Sequence, residues 1–232
     1  MKVLFAGPSL FGQAPDLTGL QLSPPARQGD IHRAVLDGAD AIGLIDGVFG
    51  FVPSVWHKEI LFALSQGVRV LGGASLGALR AAECHSFGME PVGEIAAAYV
   101  KGVRYEDADV CLAHCPAEMD FMPLSEPLVD VEASVAALLD RNFVTGEQAW
   151  AWLEAARAIY FADRTVEAML ERARLPAELV DAYRTNRVGV KARDALELVD
   201  RLRALPERRG PAPEGWTFRA SDPWRAYVAA RA

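Results

Sequence analysis

Short runs of apolar residues alternate with amphipathic stretches over the first half of the chain. Lys2 to Ala6 reads as a strand ending at Gly7-Pro8-Ser9, and Asp30 to Leu36 as a helix with Asp30 at its cap. Ala39 to Ile45 is strand-like and stops at Asp46-Gly47. Ser54 to Gln66 is helical, between Pro53 and Gly67, and Val68 to Leu71 is a third strand running into the helical segment Ala78-Leu79-Arg80-Ala81-Ala82-Glu83. Strand and helix taking turns three times predict a parallel sheet with crossover helices. The loops after those strands then lie at one edge, where open α/β sheets hold ligands.

Beyond Asp107 the period changes. Asp109 to Ala113 suits one more strand, and Ala117 to Pro127 is irregular. Apolar residues then recur at three and four through Val131 to Leu139, Gly146 to Phe161, Thr165 to Ala173, Ala177 to Tyr183 and Ala192 to Leu205. The predicted fold class is α/β: a small parallel-sheet core in the N-terminal half, followed by a mostly α-helical C-terminal part. The expected division is 1–115 for the core that carries the site, 116–205 for a helical subdomain, and 206–232 for a linker and an aromatic tail. Pro206 to Gly215 is the linker. Trp216, Phe218, Trp224 and Tyr227 in the tail are expected to pack on the body of the protein or on a partner.

Composition narrows the functional classes. The 232 residues are 51% hydrophobic and 24% charged, ordinary for a globular protein. A net charge of −7 gives no reason to expect a nucleic-acid partner. No apolar run is long enough to span a membrane, and the first residues are too short for a secretory signal, so a cytoplasmic location is expected. Three cysteines, Cys84, Cys111 and Cys115, are too few for a disulfide framework. With His85 and His114 they fall short of a convincing zinc pattern, and Cys111, Ala113 and Cys115 suit one face of a buried strand better. No glycine-rich phosphate loop follows the first strand, so no metal or cofactor is expected.

The chemistry concentrates at Gly73-Ala74-Ser75-Leu76-Gly77, a serine between glycines at a strand-to-helix turn. Such a turn lifts the hydroxyl clear of the backbone and offers helix N-terminal amides, here Leu76 and Gly77, to a developing oxyanion. An ordinary α/β-hydrolase is disfavoured: the turn follows only the third strand, and the histidines after it are His85 and His114, with none in the helical half. Upstream, Lys58 stands on a helix with Leu61 and Phe62 at i+3 and i+4, where desolvation would leave a neutral amine able to act as base. His57 is the alternative base, and both positions equally suit a surface lysine and a core histidine. Ser9 and Asp46 are possible supporting groups at the sheet edge, as turn formers or as rim chemistry. Arg80 is another, either pairing with Glu83 or steering an anion.

These residues resemble a known family. Gly7-Pro8-Ser9-Leu10, Pro24-Pro25-Ala26, Gly29-Asp30-Ile31, Leu44-Ile45-Asp46-Gly47, Pro53-Ser54-Val55-Trp56-His57-Lys58-Glu59-Ile60 and Gly73 through Glu83 are similar to the TfuA proteins, as are Phe87-Gly88-Met89 and Val92-Gly93. The likeness covers about the first 110 residues, and Lys191-Ala192-Arg193-Asp194-Ala195 adds to it. Leu76 departs from the methionine common there. The resemblance implies an accessory role beside a YcaO-family protein, which activates backbone amides of a peptide. It implies hydrolysis of a thiocarboxylated, ubiquitin-like sulfur-carrier protein to release sulfide for thioamidation. Carried onto this chain, Ser75 is the nucleophile and Lys58 the base of a Ser-Lys pair. A non-catalytic adaptor that docks YcaO, peptide and sulfur carrier is the alternative.

Overall fold

The computed structural model describes residues 1–50 and 52–230. Five parallel strands, β1 (Lys2–Phe5), β2 (Leu20–Ser23), β3 (Ala41–Leu44), β4 (Arg69–Gly73) and β5 (Glu90–Val92), lie in the order β2-β1-β3-β4-β5. In register, Phe5 faces Leu44 and Leu44 faces Gly72, so the three central strands end level with one another. The α/β core with a helical second half matches the expected class.

Alternation along the strands decides which helices cover each face. Val3, Phe5, Ile42, Leu44 and Val70 point into a core with residues of α1 (Asp30–Leu36), α2 (His57–Ser65) and α3 (Leu76–Cys84). Leu4, Ala41 and Leu71 point the other way. There they meet Ala195, Leu198, Val199 and Leu202 of α9 (Val190–Ala204). Burying the valine, isoleucine, leucine and phenylalanine side chains among them contributes roughly 2 kcal/mol each.

Between β5 and α9 run α4 (Gly93–Val100), α5 (Leu128–Asp140), α6 (Gly146–Ala158), α7 (Val166–Ala173) and α8 (Leu179–Thr185). α5 to α8 build a separate core around Trp152, Leu138, Met169 and Tyr183. α9 then leaves that core and returns to the sheet. The expected run 116–205 is therefore continuous in sequence but not in packing.

Several local expectations are corrected. The helix expected from Ser54 begins at His57, where Glu59 caps it by accepting the Trp56 amide. Asp109 to Ala113 is no strand: Asp107–Asp109 is a 3-10 turn, and the Cys111 thiol donates to the Asp107 carbonyl. The final strands are instead β2, between Gly- and Pro-containing turns, and β5, which carries Pro91 on the sheet edge where a missing N–H is tolerated. The N-cap of α1 is Gly29, while the Asp30 side chain accepts the Arg27 amide.

The aromatic tail packs on the body. Trp224 and Tyr227, in α10 (Asp222–Ala229), are buried. Trp224 lies 5.2 Å from His32, 5.4 Å from Phe62 and 5.9 Å from Trp56, ring centre to ring centre. No helix among the described residues is long and apolar enough to cross a membrane.

Candidate functional site at the carboxyl edge of the sheet

From β1 the chain turns to one side of the sheet, and from β3 to the other. The carboxyl ends of β1 and β3 therefore flank the crevice where doubly wound sheets bind ligands. Pro8–Leu10 forms a 3-10 turn at the end of β1, and Asp46 follows β3. The Asp46 carboxylate is 2% exposed and accepts three donors: the Gly7 amide at 2.9 Å, the Ser9 amide at 3.1 Å and the Ser9 hydroxyl at 2.7 Å. Three donors on one carboxylate compensate its removal from water. Asp46 thus fixes the loop after β1, a role beyond that of a turn former.

One strand over, β4 enters α3 through a sharp turn. Ala74 has φ +62°, a left-handed conformation unusual for a residue with a side chain, and the Ser75 amide closes back on the Gly73 carbonyl at 2.7 Å. Strain of this kind collects at functional turns. It sets Ser75, 3% exposed, at the N-cap of α3. Among the described residues no hydrogen-bond partner holds the Ser75 hydroxyl. The tight packing of the turn follows from Gly77, where a Cβ would overlap the Leu44 carbonyl. The Gly77 amide instead donates to the Ile45 carbonyl at 3.1 Å. That bond corrects the expectation that Gly77 receives an oxyanion. Leu76, in the first turn of α3, is the amide left for that task.

The expected bases sit elsewhere. Lys58 is half-exposed; its ammonium donates to the Arg219 carbonyl at 2.8 Å and lies 5.0 Å from the centre of the Phe218 ring. Its ammonium is thus engaged by the tail segment rather than by Ser75. No hydrogen bond joins it to Ser75 among the described residues. The His57 Nε2 lies 2.8 Å from Glu83, so His57 is neither a core histidine nor a partner of Ser75. Arg80 binds Glu83 at 2.7 Å and the Val55 carbonyl at 2.9 Å, which occupies the fork expected to steer an anion.

A different lysine lies at this edge. Lys191, on the first turn of α9, is 3% exposed and donates from Nζ to the Val110 carbonyl at 2.7 Å. Burial pulls it below the usual lysine range, opposed by the carboxylates of Asp46 and then Asp130. Asp130 accepts the Lys191 amide at 3.0 Å and Arg187 at 3.1 Å, and Arg187 also reaches Glu126 at 3.0 Å. Ser9, Lys191, Asp130, Arg187 and Glu126 line one pocket of about 240 Å³. A larger groove of about 410 Å³ runs beside β2 and α1 and includes none of Ser9, Asp46, Ser75 or Lys191.

Ser9, Asp46 and Ser75, singled out in the sequence, all follow strands at the carboxyl edge of the sheet, whereas Lys191, Arg187 and Asp130, which join Ser9 at the smaller pocket, were not expected as site residues. A signal was present: Lys191 and Asp194 fall on the same helical face as Ala195, Leu198 and Leu202, the face that enters the core. The cysteines are quiet by comparison. Burial pushes the thiols of Cys84 and Cys111 up to about 12.

The family model described as TfuA-like protein matches residues 46–165, from Asp46 through the Ser75 turn and into the helical half. Comparison with curated proteins returns no significant match.

Proposed function

The chain belongs to the TfuA-like family, and from that premise we propose that it serves a YcaO-family partner in backbone thioamidation by releasing sulfide from a thiocarboxylated sulfur-carrier protein. The observation that carries the hydrolytic part is the Ala74–Ser75 turn. Ala74 is held at positive φ, the Ser75 hydroxyl has no competing acceptor among the described residues, and α3 begins at the next residue. In the proposed reaction Ser75 attacks the thiocarboxylate carbon and the Leu76 amide receives the oxyanion. Hydrosulfide departs, and water then clears the acyl-serine. One such amide lowers the barrier by about 3 kcal/mol. Lys58 and His57 are engaged by Arg219 and Glu83, so the reading does not draw on them.

The test is direct. Purified protein is mixed with a thiocarboxylated ubiquitin-like carrier, and sulfide is followed by methylene-blue colour. Wild-type protein is expected to release sulfide, and Ser75→Ala to lose about 10³-fold in rate. A Ser75→Ala variant with undiminished release overturns the nucleophile. A wild-type protein that releases none, yet supports thioamidation by its YcaO partner when free sulfide is supplied, is instead an adaptor.

A further inference from the structure

We infer that the cleft between α5, α6 and the 3-10 turn Asp107–Asp109 is a second binding site, in which Arg164 takes the carboxylate of a singly charged, apolar organic acid. None of Ser9, Asp46, Ser75 or Lys191 lines it, so it goes beyond the reaction proposed above and does not depend on it.

The case begins with Arg164, which follows α6 in the connection to α7 and is 2% exposed. A guanidinium carries five N–H donors and no acceptor. Here Nε donates to the Ala156 carbonyl at 2.9 Å, and Nη1 donates to the carbonyls of Ala108 and Glu126, each at 3.3 Å. Arg164 thus ties the end of α6 to the 3-10 turn and to the segment before α5, but all three acceptors are neutral. No carboxylate forms an ion pair with it among the described residues. The two N–H donors of Nη2 have no acceptor there either. Nη2 is not among the side-chain atoms sealed from solvent without a partner, so it opens on the cleft of about 530 Å³ that Arg164 lines. A buried charge without a counterion is costly, and an anion bonded to Nη2 removes that cost.

The acids nearby are committed to other arginines. Asp109 accepts Arg104 at 2.8 Å. Glu132 accepts Arg104 through one oxygen and Arg157 through the other, the latter at 2.9 Å. Burial pulls Arg164 below the usual arginine range, and Asp109 and Glu132 oppose that shift without bonding to it. It keeps its charge all the same.

The walls decide which anion fits. Glu106, Asp109 and Glu132 all line the cleft. They repel a phosphate dianion or a nucleotide more strongly than a single carboxylate. Tyr105, 80% exposed, and Val103, 73% exposed, are the most exposed large apolar side chains among the described residues, and both stand at this cleft, with Leu128 buried behind them. Apolar surface gathered beside an unpaired cation suits a ligand with an apolar body and one carboxylate.

Titration calorimetry with hydrocinnamate tests this, beside hydrocinnamamide, which has the same shape without the charge, and inorganic phosphate. The acid is expected to bind, with the amide and phosphate at least about tenfold weaker. Ala108→Trp fills the cleft from an exposed position and keeps the carbonyl that Arg164 uses. It is expected to weaken hydrocinnamate at least about tenfold. The arginine Nε–H signals of ¹⁵N-labelled protein locate the contact: the signal missing in Arg164→Lys should shift with the acid and not with the amide. If Arg164→Lys fails to fold by circular dichroism, the Ala108→Trp comparison decides. A peptide ending in a free phenylalanine carboxylate, beside its amidated form, identifies the source of the acid. Tighter binding of the free peptide end assigns a chain terminus, and binding of hydrocinnamate alone assigns a small molecule. Equal affinity for acid and amide, no binding of either acid probe, or undiminished affinity in Ala108→Trp overturns the inference. None of these readouts uses sulfide release, so failure here and failure of the Ser75 reading are distinct.

Discussion

The Asp46 carboxylate accepts both the hydroxyl and the amide of Ser9, at 2.7 and 3.1 Å, across the seam between β1 and β3. The loop after β1 is thereby tied to the end of β3 by a charged group rather than by packing. Asp46→Ala leaves the Ser9 hydroxyl and the Gly7 and Ser9 amides buried without acceptors, at a cost of about 3 kcal/mol. Ser9→Ala removes one donor and costs about 1 kcal/mol. Urea unfolding of the two variants measures the difference. Equal losses would mean that the backbone amides find other acceptors.

Gly77 supports a sharper expectation. Its Cβ would overlap the Leu44 carbonyl, and relieving that overlap separates α3 from β3 and breaks the Gly77–Ile45 hydrogen bond. Gly77→Ala should cost about 3 kcal/mol or more, seen as a large drop in unfolding midpoint or in soluble yield. Gly146, at the first position of α6 with open space around it, is the control. Gly146→Ala should leave stability within about 1 kcal/mol.

How much of this was legible follows from where each contact comes from. The central strands and the helices between them have clear periods, because a strand buried on both faces is apolar throughout and α1 to α3 each present one apolar side. β2 escapes notice because it is a half-exposed edge strand, and β5 because it is three residues long and contains a proline. Ser75, Ser9 and Asp46 could be found because each follows its strand directly. Lys191 could not be placed by that logic: its partners Val110, Asp130 and Asp46 lie far away in the chain, and only the return of α9 to the sheet unites them. Lys58 was misplaced because helical neighbours at i+3 and i+4 do not reveal what a later segment, here Phe218 and Arg219, brings against the same side chain.

A pH dependence of stability follows from Asp194. Burial raises its carboxyl to about 6 in the folded protein, against an ordinary 3.8, although the Ile95 amide opposes the shift. Between those two values the folded state holds a proton that the unfolded state has lost. Stability from this group is therefore complete below about pH 4 and falls as pH rises through about 6, by up to about 3 kcal/mol. Asp194→Asn keeps an oxygen for the amide and should flatten that slope. Urea midpoints of both proteins from pH 4 to pH 7 show whether it does.

The tail is a structural element rather than a loose end. Trp224 is buried among His32, Phe62 and Trp56, so Trp224→Ala opens a cavity over α1 and α2 and should cost about 4 kcal/mol. Lys58→Ala, by contrast, removes one exposed hydrogen bond and a ring contact and should cost less than about 1 kcal/mol. Thermal melts of the pair separate anchoring by aromatic packing from anchoring by charge.

The family match begins at Asp46, after β1, β2 and β3 have been laid down, and ends before α9. A fragment cut to the matched residues keeps β4 and β5 but loses β3, on which β4 leans, and the helix that covers one whole face. Such a piece has an open sheet edge and an uncovered apolar face, the ingredients of aggregation. Expression trimmed to the recognisable span would therefore yield insoluble material, because the length by which this protein is recognised is shorter than the length on which it folds.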